Sequence, residues 1–178
     1  TDMTAKQKWY MLTLVGKDRP GIVSHVTAAL YEGGANLGET SMMRLGGNFS
    51  IMMMVQFCGN THALQELVGG VAESLGLHLH IDHIDARLHD HRIPDVRISV
   101  YGADRAGIVA KVTGVLAEAG LDILELESDV GGTDAEPIYI MSIEGYAAEG
   151  IPALESALEI VRAEGIDASL QAIETLVG

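Results

Sequence analysis

The chain has 178 residues, a formal net charge of −14 and an apolar share of 48%. That length allows one or two domains, the apolar share supports packed cores rather than disorder, and no apolar run nears the roughly 18 residues that a membrane-spanning helix needs. Nucleic-acid affinity rests largely on Lys and Arg neutralising phosphates, whereas here the basic residues are scattered, Arg87, Arg92 and Arg97 being interleaved with Asp85, Asp90 and Asp95, so no direct nucleic-acid partner and no membrane partner are expected.

Thr1 to Lys8 has no apolar stretch of signal-peptide type, and the single cysteine, Cys58, suits a reducing compartment. A cytoplasmic protein is expected, with Cys58 a buried thiol at the end of a strand. Trp9 to Val15 reads as a strand closing at Gly16. Ile22, Val23, Val26, Ala29 and Leu30 then form the stripe of a helix, with Pro20 suited to its first turn and Gly33-Gly34 to its end. Asn36–Leu45 and Phe49–Phe57 flank the turn Gly46-Gly47-Asn48 and make a hairpin. Leu64, Leu67, Val68, Val71 and Leu75 mark a second helix despite Gly69-Gly70, and His78–Ala86 is a closing strand.

The same order then returns. Val96–Tyr101 is a strand, Ile108, Val109, Val112, Val115 and Leu116 mark a helix, and Leu121–Val130 with Pro137–Gly145 form a hairpin with a longer turn. Leu154, Ala157, Leu158 and Val161 mark a last helix before a strand at 166–175. Residues 16–39 laid on 102–125 give 12 identities in 24 positions, which makes the chain two copies of one unit 86 residues apart. Each copy is long enough for its own core. The expected fold is α+β: two tandem ferredoxin-like βαββαβ domains, each a four-stranded antiparallel sheet with helices on one face, at 1–88 and 95–178 with 89–94 as linker.

An open sheet of this kind normally shows a polar outer face. Trp9–Val15 is instead apolar on both faces, and Met52 and Met54 share a face opposite Phe49, Ile51, Met53, Val55 and Phe57. A cover is therefore expected, from the sister domain or from a second copy in a homodimer. Met42, Met43, Met52 and Met54 suit either such an adaptable contact or ordinary core filling.

Segment 16–23 sets a glycine turn between a strand and a helix N-terminus, where exposed N–H groups and the helix dipole favour a carboxylate. Asp18 is placed either to cap the helix or to hold an ammonium group. Asn36, opening the next strand, offers a donor and an acceptor. Together they make a receptor for a free α-amino acid, with a capped strand–helix turn as the alternative.

Asp18-Arg19-Pro20-Gly21-Ile22-Val23, the glycine-ended helix and Ala35-Asn36-Leu37 resemble the opening of ACT domains, and the tandem arrangement, with Glu39 to Ser50, is similar to the glycine cleavage system transcriptional repressor family. The resemblance implies βαββαβ regulatory modules that bind amino acids at the first strand–helix loop, commonly at a domain interface, and that act through a partner transcription factor. It implies ligand contacts from Gly16, Asp18, Arg19, Pro20, Gly21, Ile22, Asn36 and Leu37, with glycine or a similar amino acid as ligand. The second copy offers Asp104, Arg105, Gly107, Ile108 and Asp122, but Ala106 replaces Pro20 and Asp122 replaces Asn36. A carboxylate at 122 is expected to repel a ligand carboxylate and weaken that site.

No metal or other cofactor is expected. His78, His80 and His83 crowd one strand with Asp82, but ligands of a closed zinc site must converge, and a solvated edge strand accounts for them. Gly46-Gly47 and Gly131-Gly132 open no helix and read as turns rather than phosphate loops. No hydrolase, zinc-protease or P-loop motif occurs, and no catalytic residue is expected. The rival reading is the regulatory portion of an enzyme, since paired ACT domains also resemble those of phosphoserine phosphatases and single ones those of formyltetrahydrofolate deformylases. Against it, the chain stops a few residues after its last strand.

Overall fold

The computed structural model describes residues 6–85, 92–103 and 107–174, and the chain divides into two compact units. The first runs β1 (Lys8–Lys17), α1 (Ile22–Glu32), β2 (Asn36–Leu45), β3 (Asn48–Phe57), α2 (Thr61–Ser74) and β4 (His78–Ile84). The second repeats it as β5 (Val96–Ala103), α3 (Ile108–Glu118), β6 (Leu121–Gly132), β7 (Pro137–Ala147), α4 (Ile151–Arg162) and β8 (Asp167–Ala172). Sheet orders are β2-β3-β1-β4 and β6-β7-β5-β8, and all pairs are antiparallel. This is the ferredoxin-like βαββαβ layout, twice over. Among the described residues no helix is long and apolar enough to cross a membrane.

Alternation along the strands builds each core. In the first unit Tyr10, Leu12 and Leu14 of β1 and Phe49, Ile51, Met53 and Val55 of β3 meet Ile22, Val26 and Leu30 of α1 and Leu64, Val68 and Ala72 of α2, all buried. The second unit does the same with Val96, Ile98, Val100, Met141 and Ile143 against Val112, Leu116, Leu154 and Leu158. Each such side chain contributes about 1.5–3 kcal/mol on burial. Gly46 and Gly47 both have positive φ (56° and 77°) between the paired Leu45 and Asn48, the geometry that a two-residue hairpin turn demands.

Two local expectations need correction, and one holds. Pro20 lies ahead of α1, whose N-cap is Gly21 in the left-handed region at φ 86°; the helix starts two residues later than a Pro in the first turn requires. The helix expected despite Gly69-Gly70 is present and unbroken as α2: Asn60 caps it, Oδ1 accepting from Ala63 N–H at 2.8 Å, and Leu64, Val68 and Ala72 anchor one face. Cys58 is exposed, since β3 ends at Phe57 and the chain has already turned outward.

The outer faces of the two sheets differ. Strand register places Trp9, Met11, Val15, Met52 and Met54 on that of the first, with Val15 42% and Met52 48% exposed. Met42 and Met43 of β2 are exposed too, so of the methionines in this hairpin only Met53 fills the core. The second sheet instead places Arg97, Glu125, Glu127, Asp129 and Glu144 on its outer face, with Arg97 Nη2 2.6 Å from Glu144 Oε1. A need for cover follows for the first face; the second mixes these charges with the exposed Tyr101, Ile138 and Ile140.

Candidate functional site

Three loops meet at the C-terminal end of β1. The β1–α1 loop is held to the β2–β3 turn by Asp18 N–H donating to Gly47 O at 3.1 Å. On its other side Gly16 abuts the α2–β4 turn so closely that a Cβ there would stand 2.9 Å from Gly76 O and 2.7 Å from Leu77 Cδ2. Gly16 thus serves backbone packing. At the loop's end Gly21 O accepts two bonds from His25, from its backbone N–H at 3.0 Å and from Nδ1 at 2.6 Å.

No side chain caps α1 or α3, and the N-caps Gly21 and Gly107 are both left-handed, at φ 86° and 93°. Asp18 does not cap: its carboxylate pairs with Arg44 of β2, 3.3 Å away. That leaves the first N–H groups of α1, with the positive end of its dipole, without a carboxylate of the loop's own. Arg19 and Pro20 are exposed, while Ile22 is 2% exposed and belongs to the core beneath the loop, so its side chain is not available for contact.

Asn36 and Leu37 are not at this end of the sheet. Asn36 pairs with Gln56, which pairs with Trp9 at the start of β1. From there to Gly16 the strand advances seven residues, roughly 23 Å at the rise of an extended strand. Asn36 and Leu37 line a separate cavity of 390 Å³ with Ser24, Thr27 and Tyr31 of α1. One unit therefore holds the expected contacts in two groups at opposite ends of its sheet.

The second unit shows the same division. Gly107 heads α3 and Ile108 is buried, while Asp104 and Arg105 lie outside the described residues. Asp122 pairs with Tyr146 at the far end of β6 and faces Arg92 Nη1 at 3.4 Å, the guanidinium lying 5.2 Å over the Tyr146 ring. Its expected repulsion of a ligand carboxylate at the α3 loop does not hold within one unit, for reasons of distance and of charge pairing. Lys111, at the position of His25, pairs with Glu164.

Arg44, His25, Lys17 and His78 were missed as neighbours of the loop. Arg44 was within reach of sequence reasoning: a two-residue turn at Gly46-Gly47 sets Arg44 opposite Phe49, and Phe49 lies opposite Gly16. Among the described residues no three His, Cys, Asp or Glu side chains gather as metal ligands. His78 and His80 lie on the exposed outer face of edge strand β4, and His83 turns the other way onto Tyr10, ring centroids 5.4 Å apart.

Models of the ACT domain match residues 10–82 and 96–165. The glycine cleavage system transcriptional repressor of Escherichia coli is 26% identical over 125 residues, 70% of this chain and 66% of the repressor. The UPF0237 protein YjhC of Lactococcus lactis is 36% identical over 74 residues, 41% of this chain and 85% of that protein. A protein of unknown function from Galdieria sulphuraria superposes with a TM-score of 0.72 at 25% identity, covering 95% of this chain and 100% of that one. A candidate glycine cleavage system transcriptional repressor superposes at 0.73 with 19% identity over 95% and 99%, a likeness of fold.

Proposed function

The chain belongs to the ACT-domain family, two domains in tandem, and from that premise we propose that it is a regulatory protein that senses an amino acid, glycine first among candidates, and reports it by contact with a protein partner. The observation that supports this most is the uncapped N-terminus of α1 beside a carboxylate that does not cap it. An α-amino acid answers both groups at once, its carboxylate taking the free N–H groups and its ammonium competing with Arg44 for Asp18. Asn36 and Leu37 join this site from a second copy of the chain, packed the opposite way up, because within one unit they lie at the wrong end. Occupancy then alters how two copies pack, which is how a small ligand shifts a partner equilibrium: by binding two states unequally.

The relative's name supports regulation of glycine cleavage genes, and a net charge of −14 suits action through a DNA-binding partner rather than on DNA. Affinity is bounded. The best tiny ligands gain about 1.5 kcal/mol per non-hydrogen atom, so glycine reaches roughly 7.5 kcal/mol at most, a dissociation constant of several micromolar. Calorimetry of the full chain against glycine and the other amino acids is the test, with saturable binding between that bound and the millimolar range expected. Asp18→Ala should weaken it and Arg44→Ala, by freeing Asp18, should tighten it a few-fold, since exposed ion pairs are worth about 0–1 kcal/mol. If no amino acid binds, or if Asp18→Ala changes nothing, the reading is wrong.

A further inference from the structure

Basic residues are disposed unequally among the described side chains. In the second unit every described Lys or Arg faces a carboxylate: Arg92 with Asp122, Arg97 with Glu144, Lys111 with Glu164, and Arg162 with Glu155 and Glu159. In the first unit Arg44 is so paired, whereas Lys17 and Arg19 have no described carboxylate partner. Both line one concavity of 580 Å³ with Gly16, Asn48, Gly76 and His78. No Asp or Glu lines it.

The internal repeat supplies a control. The step of 86 residues sets Ala103 at the position of Lys17. Tyr101, which corresponds to Val15, pairs with Asp167, where Val15 pairs with His78. Ala103 pairs with Ile138, where Lys17 pairs with Asn48. The second copy thus keeps the fold at this place but replaces a cation by a methyl group and an imidazole by a carboxylate. Folding alone does not require the basic set.

We propose that this concavity binds a small organic dianion, a dicarboxylate or a phosphorylated metabolite. Lys17 and Arg19 supply two fixed positive charges, and His78 has a ring N–H to donate in either protonation state. Charge-assisted bonds to such an anion are about twice as strong as neutral ones, and no carboxylate on the wall favours an ammonium group. The volume exceeds what a bare phosphate occupies and includes Val15 and Leu75 as apolar lining, which suits an organic body. Residues 1–88 hold six Lys and Arg against eight Asp and Glu, and 89–178 hold five against seventeen. The first unit is thus the one whose own field least opposes an anion. The site shares Gly16 and Arg19 with the expected amino-acid contacts but adds Lys17 and His78 and uses none of Asp18, Asn36 or Leu37, and it stands whether or not an amino acid binds the loop.

The test is calorimetry of the full chain at low ionic strength with succinate, glycerol 3-phosphate, inorganic phosphate and glycine. Binding of one or both organic dianions, more tightly than inorganic phosphate, is expected, and which of the two binds tells the carboxylate from the phosphate source. Lys17→Ala or Arg19→Ala should each cost roughly tenfold, and the double variant Lys17→Ala/His78→Asp, which sets the second copy's residues at these two positions, should abolish binding. Lys6→Ala, an exposed cation elsewhere in the unit, should leave it unchanged. These exposed substitutions should leave the circular dichroism spectrum unaltered. The proposal is overturned if neither dianion binds, if Lys6→Ala weakens binding as much as Lys17→Ala, or if the groove double variant binds like the parent; glycine binding lost or kept has no bearing on it.

Discussion

Gly16 and Gly21 look like one motif in sequence but do different work. Gly16 has ordinary strand geometry, and what excludes a side chain is the Gly76 carbonyl and Leu77 pressed against it. Gly21 has open space apart from His25 but a φ of 86°, which side-chain-bearing residues adopt only with strain. Gly16→Ala should therefore destabilise by overpacking, about 1–3 kcal/mol, and thermal denaturation should show a fall of several degrees. An unchanged midpoint would mean that the α2–β4 turn yields freely. In the second copy Gly102 meets only Ile108 and Ile166, at 3.5 Å and 4.0 Å, so Gly102→Ala should be milder. The carboxylate of Asp18 is the residue whose role the sequence left undecided between cap and ligand. Arg44, brought over from β2, excludes the cap, since a salt bridge at 3.3 Å is a fact of register rather than of local chain.

At the scale of elements, α2 shows which features of the sequence were legible and which were not. The stripe Leu64, Leu67, Val68, Val71 and Leu75 was plain, and it outweighed two adjacent glycines because tertiary burial dominates helix propensity. Gly70 has helical backbone and nothing within 4 Å of where a Cβ would go. Gly70→Ala should stabilise by roughly 0.5–1 kcal/mol, readable as a shift in urea midpoint without a change in slope; destabilisation would point to a contact on that face. The strands, the hairpins and the Gly33-Gly34 stop were read from period and turn chemistry, which are local. Asn36 was misplaced because a helix of eleven residues returns the chain to the other end of the sheet. Sequence proximity after a strand–helix–strand passage means spatial distance, and only the topology, already in hand from the repeat, could have said so. The linings of the Lys17 and Arg44 sides of the loop depend on pairing between strands and had no signal in a single segment.

For the molecule as a whole, the two copies have kept a core and diverged in surface. Leu12 and Ile98, Val26 and Val112, and Leu30 and Leu116 fill equivalent places and are fully or almost fully buried, whereas the outer sheet face is methionine-rich in one unit and acidic in the other. An acidic chain of this kind should give no mobility shift with duplex DNA at physiological salt, and salt-sensitive submicromolar binding would contradict the reading of its charge. The exposed apolar face of the first sheet should become solvent-tolerant in Met52→Lys, and sedimentation should show weaker self-association if that face is the one covered by a second copy. In the proposed function the amino-acid site is shared between copies, the loop coming from one chain and Asn36 from another. It is tested most directly by mixing. Asp18→Ala and Asn36→Ala chains are denatured together and refolded, and glycine binding is measured by calorimetry for each alone and for the mixture. A composite site predicts that each variant alone binds weakly and that the mixture regains a fraction of sites at native affinity, in those dimers where the intact loop of one chain meets the intact Asn36 of the other. A mixture that binds no better than its two components would contradict it.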